Sequence, residues 1–135
     1  RWQTDSSGLT PTGSGLALRA RDLAKIGQLY LGGGTFRGRR VLSESWVQRS
    51  TSTHVTLGSG DRFGYLWWLL PTTTTQGEPA PADVFYAAGS GEQYVFVLPS
   101  VEMVVVVTAY NYGPGFIDPL DFISSEILPA VLDRY

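Results

Sequence analysis

Cysteine, histidine and lysine, three side chains common in catalytic and metal sites, are scarce in this 135-residue sequence. It contains no cysteine, a single histidine (His54) and a single lysine (Lys25), which excludes disulfides, cysteine-ligated metals and a His-rich metal site. His54 lies in a polar stretch, where a lone histidine is more commonly solvated than catalytic, because its usual roles need a positioned partner. The sequence therefore predicts neither a metal nor a cofactor.

The remaining chemical candidate is a glycine-rich corner, Gly89-Ser90-Gly91-Glu92, flanked by runs rich in Val, Phe and Tyr. Glycines between two β-prone runs are typical of a tight turn that joins antiparallel strands. A turn alone is sufficient to explain these residues. Participation of the corner in a site is the alternative.

Composition and charge exclude several classes of function. The formal net charge is −2 and the charged residues are scattered, so neither nucleic acid nor an anionic membrane surface is an expected partner. No apolar stretch approaches the roughly eighteen residues of a membrane-spanning helix, so we expect a soluble chain without a span. The compartment is not determined by the sequence.

Helical periodicity and turn signals divide the first half of the chain. Apolar residues recur at helical spacing from Ala20 to Leu31, and Gly32-Gly33-Gly34 ends that helix. A short hairpin is predicted from Thr35 to Val41, then a helix from Glu44 to Arg49 with Ser43 as its N-cap. Residues 50–61 are predicted to be loop.

The second half has the composition of a sheet followed by a helix. Met103 to Val107 is apolar without alternation, which predicts a strand covered on both faces at the centre of the sheet. Asp118 and Pro119 are typical of a helix start, and Pro129 should kink or split that helix. The adjacent Trp67 and Trp68 either pack within the sheet or form a wall of a substrate cleft. The predicted strands are Phe63–Leu70, Val84–Tyr86, Gln93–Leu98 and Met103–Thr108, and residues 72–83 are a predicted surface excursion.

The order of these segments resembles a known family. The runs LALRARDLAKIGQLYLGGGTFRGRRVLSESWVQRST, FGYLWWLL and FYAAGSGEQYVFVLPSVEMVVVVTAYNYG are similar to the C-terminal half of the serine β-lactamase-like hydrolases. That superfamily includes class C β-lactamases, D-alanyl-D-alanine peptidases, esterases and an oligomeric-nylon hydrolase. The resemblance implies an α+β fold, an antiparallel sheet flanked by helices, with residues 1–135 as a single partial domain of the β-lactamase/transpeptidase-like fold.

The resemblance also implies acyl transfer through a serine activated by a nearby lysine. Two of the family's motifs do not occur in these residues. The three residues before Lys25 begin with Asp22, so Ser-x-x-Lys is absent, and Ala109 precedes the only asparagine, Asn111, by two, so neither Tyr-x-Asn nor Ser-x-Asn is present. We therefore expect the nucleophile to lie upstream and these residues alone to be inactive.

The family's third motif, on the strand that lines the cleft, aligns with Ala87-Ala88-Gly89. The resemblance implies that the backbone N–H of Ser90 belongs to the oxyanion hole, with an incidental hydroxyl, and that Ala87 replaces the usual Lys or His that reads a substrate carboxylate. Glu92 stands where relatives often have glycine, which would narrow or acidify that end of the cleft. The residues that the resemblance implies for substrate binding are Tyr86, Ala87, Ala88, Gly89, Gly91, Asn111 and Tyr112.

Two functions remain open at this stage. The first is the C-terminal portion of a serine hydrolase that acts on a small ester or amide, in a parent protein that the resemblance allows to be exported. The second is a non-catalytic binding or structural module of the same descent, which Ala87 favours. In either case exposed apolar surface predicts association with the missing N-terminal half or self-association.

Overall fold

A computed structural model describes residues 1–11, 13–70, 83–115 and 118–132. Its architecture is α+β: a six-stranded antiparallel sheet lies between two helical layers, and its strands are neighbours in the sheet in the order in which they occur in the chain. The predicted excursion at residues 72–83 falls almost wholly outside the described residues. The helices are α1 (Ala20–Leu31), α2 (Glu44–Ser50), α3 (Pro119–Phe122) and α4 (Leu128–Leu132). A two-stranded hairpin contains β1 (Thr35–Phe36) and β2 (Arg39–Arg40), and the main sheet contains β3 (Val55–Thr56), β4 (Arg62–Phe63), β5 (Trp68–Leu69), β6 (Phe85–Gly89), β7 (Gln93–Leu98) and β8 (Met103–Val107).

The three long strands β6, β7 and β8 form the predicted antiparallel meander. Between β7 and β8 the chain turns through a 3₁₀ turn, Pro99–Val101, and Glu102 completes the reversal in the left-handed region at φ 49°. The β-branched and aromatic residues of these strands suit a pleated surface that is covered on both sides. The prediction of three strands with two short connections is confirmed.

β8 lies at an edge of the sheet, so its prediction as the central strand is wrong for the residues that the structure describes. The prediction that both of its faces are covered holds only in part. Val104 contacts α1, whereas Val105 and Val107 join the opposite core, but all five residues are only half-buried. An all-apolar run indicates burial of side chains, and it does not indicate whether a second strand pairs with the backbone.

α1 covers one face of the sheet at short range. Gly27 is the buried residue of this helix, and a Cβ placed on it would lie 2.5 Å from Cγ1 of Val104 and 3.2 Å from Cγ1 of Val95. Only glycine permits this approach of helix and strand. Beyond this contact, Tyr30 packs its ring 4.6 Å from that of Trp67.

The C-terminal helical segment covers the opposite face. Asp118 caps α3 by accepting a hydrogen bond from the Leu120 N–H at 2.8 Å, and Pro119 occupies the first turn, as predicted. A π-helical turn, Ile123–Ile127, separates α3 from α4. This turn directly precedes the segment that contains Pro129, whose missing N–H removes one helical hydrogen bond. The buried core on this face consists of Leu70, Val84, Tyr86, Phe96, Leu98, Val101, Ile123 and Leu128.

The predicted strand Phe63–Leu70 is interrupted, which corrects the sequence-based assignment. Leu66 adopts φ 66°, and the Gly64 N–H donates to the Trp67 carbonyl at 2.8 Å, so the chain turns between β4 and β5. The predicted loop 50–61 also contains the short strand β3, which pairs with β4. These strands are two residues long, too short for the alternation that identifies a strand in a sequence.

Candidate active site

The corner between β6 and β7 is held in an uncommon backbone conformation. Gly91 and Glu92 both have positive φ, 76° and 66°, and the ladder closes at the pair Gly89 and Gln93. Ser90 is exposed and lies outside this ladder, so strand pairing does not use its N–H. A non-glycine residue with positive φ is strained and is often found at functional positions.

The segment that follows β8 fastens this corner. The Gln93 amide donates to the carbonyls of Gly91, at 3.0 Å, and of Ala109, and the Asn111 N–H donates to Gly91 at 3.3 Å. The Tyr112 ring lies so close that a Cβ on Gly91 would be 2.7 Å from its Cζ and Oη. Glycine is therefore favoured at position 91 by its φ, and a larger residue would also displace the exposed Tyr112 ring.

An open cleft of about 390 Å³ begins at this corner and extends over the sheet face that carries the C-terminal helix. Trp68 and Tyr86 are directly paired across β5 and β6, and Ala88 and Tyr94 across β6 and β7, so aromatic side chains form most of its floor. Ala88 and Ser90 are small and exposed, which leaves the cleft open at the corner. The lining residues are Asp61, Trp68, Tyr86, Ala88, Gly89, Ser90, Tyr94 and Leu120.

Burial and nearby negative charge raise the pKa values of the two phenols of the cleft. Burial, together with the negative charges of Asp61 and Asp118, raises the pKa of Tyr86 to about 12. Burial and the charges of Glu92 and Asp118 raise the pKa of Tyr94 as well. Near neutral pH the floor therefore consists of uncharged aromatic rings surrounded by carboxylates.

The structure brings the candidate residues together in two groups. Tyr86, Ala88, Gly89 and Ser90 line the cleft, whereas Gly91, Asn111 and Tyr112 build the corner at its end. Ala87 belongs to neither group.

Ala87 packs on the other face of the sheet, beside the core formed by Trp67, Phe85 and Val97. The two tryptophans divide in the same way. Trp67 is buried in that core, and Trp68 forms part of the cleft, as one of the two interpretations of the sequence proposed.

Sequence reasoning missed three residues of the cleft: Asp61, Tyr94 and Leu120. The position of Tyr94 could have been predicted from the sequence. Tyr94 follows the corner by two residues on β7, and the alternation of side chains along β6 and β7 places it opposite Ala88. Asp61 and Leu120 reach the cleft only through tertiary packing, and no local pattern indicates their positions.

The described residues contain neither a metal-binding cluster nor a membrane-spanning helix. In those ranges no group of three or more His, Cys, Asp or Glu side chains is placed to hold a metal ion. None of the helices in the described part of the chain is long and apolar enough to cross a bilayer. His54 stacks its ring 4.1 Å from that of Tyr65, and its Nε2 lies 2.7 Å from the Arg49 carbonyl.

The raised pKa of Tyr86 predicts a loss of stability in alkali. An unfolded tyrosine loses its proton near pH 10 and folded Tyr86 near pH 12, so between these values the native state holds the extra proton. We expect the free energy of unfolding to fall across this window, with a contribution from Tyr86 on the order of 2 kcal/mol. Urea titrations at pH 9 and at pH 11 to 12 would show a smaller fall in Tyr86→Phe than in the native protein. Tyr110→Phe, at an 88% exposed position, is the control and should show the same fall in the free energy of unfolding as the native protein.

Two solved structures share the fold of this chain. The "Putative 6-aminohexanoate-dimer hydrolase from Bacillus anthracis" superimposes with a TM-score of 0.63 at 24% identity, over 98% of this chain and 31% of that one. A novel penicillin-binding protein homolog from Caulobacter crescentus superimposes with a TM-score of 0.60 at 19% identity, over 81% of this chain and 30% of that one. The chain thus has the β-lactamase/transpeptidase-like α+β fold, and it spans about a third of the length of each of these proteins.

The family model Beta-lactamase matches residues 1–123, which is most of the sequence. The chain therefore belongs to this family, that of the serine β-lactamase-like hydrolases. The resemblance inferred from the sequence is confirmed.

Proposed function

We propose that this chain supplies the oxyanion donor and one cleft wall of a serine hydrolase that acts by acyl transfer on a small ester or amide. The position of Ser90 is the observation that carries the proposal. Its N–H is free of strand pairing, it lies at a corner fixed by Gly91, and it borders an open cleft. An N–H held rigidly at such a point stabilises the negative oxygen of a tetrahedral intermediate, and preorganised donors of this kind are among the largest contributions to acyl-transfer catalysis.

The nucleophile and its activating base lie outside these 135 residues in this proposal. The single lysine, Lys25, is bound to Asp22 in an exposed ion pair on α1, and no Ser-x-x-Lys surrounds it. A serine hydroxyl is a poor nucleophile without an adjacent base. These residues alone should therefore show no turnover.

A covalent labelling experiment tests the proposal. The intact protein that carries this chain is treated with an activated ester such as p-nitrophenyl acetate, or with a β-lactam probe, and the modified peptide is identified by mass spectrometry. We expect one acylated serine, outside these residues. A folded intact protein that is not labelled and does not hydrolyse esters would instead be the non-catalytic module. Acylation of a serine within these residues would contradict the proposal that the nucleophile lies outside them.

We also propose that the open edge of β8 pairs with a strand that is not among the described residues, from the same polypeptide or from a second copy. The edge is five residues long and entirely apolar, the kind of edge that natural proteins cover or charge. Hydrogen exchange of the intact protein should show protection of alternate β8 amides, those that do not donate to β7. Rapid exchange of these amides would contradict the pairing.

A further inference from the structure

The cleft beside Ser90 has a distinct chemical character. One wall and the floor are aromatic, since Trp68, Tyr86 and Tyr94 all line it, and the rings continue beyond it as Phe63 packs 4.6 Å from Trp68. The Tyr86 and Tyr94 ring centroids lie 5.9 Å apart. Tyr86 is largely buried, so the ring surface that a ligand can reach belongs mainly to the half-buried Trp68 and Tyr94. The electron-rich face of an aromatic ring attracts cations within about 6 Å of its centroid.

The charged groups around these rings are carboxylates. Asp61 lines the cleft, the charge of Asp118 helps to raise the pKa of both phenols, and Glu92 helps to raise the pKa of Tyr94. None of the lining residues in the described part of the chain is a lysine or an arginine. The adjacent cation, Arg62, directs its guanidinium to the Leu70 carbonyl at 2.6 Å, outside the lining.

Two of these carboxylates retain capacity to bind a ligand. Asp61 accepts a hydrogen bond from the Ser59 hydroxyl through Oδ2, at 2.6 Å, and among the described residues no other side chain donates to it. Glu92 lies beside the lining and hydrogen-bonds to Tyr94, but its Oε2 is buried without a hydrogen-bond partner in the same part of the chain. A buried carboxylate oxygen without a partner is costly, and a cation nearby lowers that cost.

We propose that this cleft binds an ammonium group of the substrate, an inference that rests on the proposed function. An anionic group would meet carboxylates and ring faces that both repel it, whereas a neutral alkyl group would use the rings and leave the carboxylates unpaired. An ammonium group is attracted both by the ring faces and by the carboxylates. Because Ser90 lines the same cleft, the cation would lie within a few bonds of the scissile carbonyl, which defines the substrate class as an ester or amide of an amino alcohol, amine or amino acid with its charged nitrogen close to that carbonyl.

A pair of isosteres tests the preference without requiring catalysis. Choline and 3,3-dimethylbutan-1-ol have the same shape and differ in charge, and their binding to the intact protein can be followed by the tryptophan indole signals in NMR spectra. We expect choline to bind at least about 5-fold more tightly, a ratio typical of one cation–π contact supported by a carboxylate. Equal affinities would overturn the proposal.

Three variants show whether the charge acts at this place. Asp61→Asn and Glu92→Gln keep the shape of each side chain and should each weaken choline binding about 3- to 5-fold, with no change for the neutral isostere. Glu102→Gln is the matched control, since it removes one exposed carboxylate in the turn at the far end of β7 and β8. An equal loss in the control, or no loss in either Asp61→Asn or Glu92→Gln, would contradict the assignment.

Hydrolysis then separates this inference from the function on which it rests. Acetylcholine and 3,3-dimethylbutyl acetate are isosteric esters, and we expect kcat/KM to favour acetylcholine in the native protein and the preference to fall in Asp61→Asn. Hydrolysis of both esters at equal kcat/KM would overturn the ammonium site and leave the hydrolase intact. Selective binding of choline without hydrolysis of either ester would overturn the hydrolase and leave the site.

Discussion

Ser90→Pro is expected to lower kcat of the intact protein by about 10²- to 10³-fold, the loss that follows removal of one oxyanion donor. Proline has no backbone N–H, so the substitution removes the proposed donor together with the Ser90 hydroxyl. Three features of the position suit proline, because Ser90 is exposed, its φ is not positive, and the residue before it, Gly89, is in an extended strand. Steady-state hydrolysis of p-nitrophenyl acetate gives kcat and KM separately. KM should change little, because the donor acts mainly on charge that develops in the transition state.

Ser90→Ala is the matched control for this experiment. It deletes the hydroxyl and keeps the N–H, so its kcat should remain within about threefold of the native value if the backbone donor acts as proposed. Far-UV circular dichroism of both variants confirms that each is folded. An alanine variant as inactive as the proline variant would assign the function to the hydroxyl, and an active proline variant would remove Ser90 from the oxyanion hole.

The parts of the fold that the sequence predicted are those determined by short-range physics. α1 and the hydroxyl and carboxyl caps follow from apolar spacing and from side chains that satisfy the free N–H groups at a helix start, as Ser43 does for the Trp46 N–H at 3.1 Å. The meander of β6, β7 and β8 follows from β-prone runs separated by turn residues. In each case one contiguous segment of the sequence contains the pattern that predicts the element.

The features that sequence reasoning missed depend on contacts between distant segments. The turn that interrupts the aromatic run at Gly64 is fixed from outside, because Ser50 lies against it and accepts a hydrogen bond from the Tyr65 N–H at 2.9 Å. Whether β8 lies at the edge of the sheet depends on whether a second strand pairs with its backbone, and an apolar pattern does not indicate this. Asp61 joins the cleft for the same kind of reason, since β3, β4 and β5 carry it there through ladders of only two residues each.

The same distinction applies to the candidate site. Resemblance to a family was enough to select Ser90 and the corner, because the corner is one contiguous segment. The aromatic floor combines residues from β5, β6 and β7, and the nearby carboxylates come from the loop before β4, the corner before β7 and the N-cap of α3. Their shared chemical character therefore becomes visible only in three dimensions. The inferred preference for an ammonium group therefore comes from the structure and not from the family.

Phe96→Ala is expected to lower the free energy of unfolding by about 3–5 kcal/mol, the usual cost of truncating a buried phenylalanine. Its side chain is 0% exposed, and its ring lies 5.4 Å from that of Tyr86 and 5.2 Å from that of Tyr94, with which it is stacked. Removal of the ring leaves a cavity between the sheet and the C-terminal helical segment. A loss of this size is a large part of the total stability of a typical domain, about 5–15 kcal/mol, so urea unfolding should show a clearly lower midpoint.

Phe122→Ala is the control, because Phe122 is 39% exposed on the helical segment that covers the same core. We expect a loss of about 1 kcal/mol or less for this variant, since it transfers less apolar surface to water and alanine favours the helix. Similar losses in the two variants would show that the core is not centred on Phe96. Because Phe96 packs beside the two tyrosines of the cleft floor on the same face of the sheet, Phe96→Ala should also weaken choline binding under conditions in which it remains folded, whereas Phe122→Ala should not.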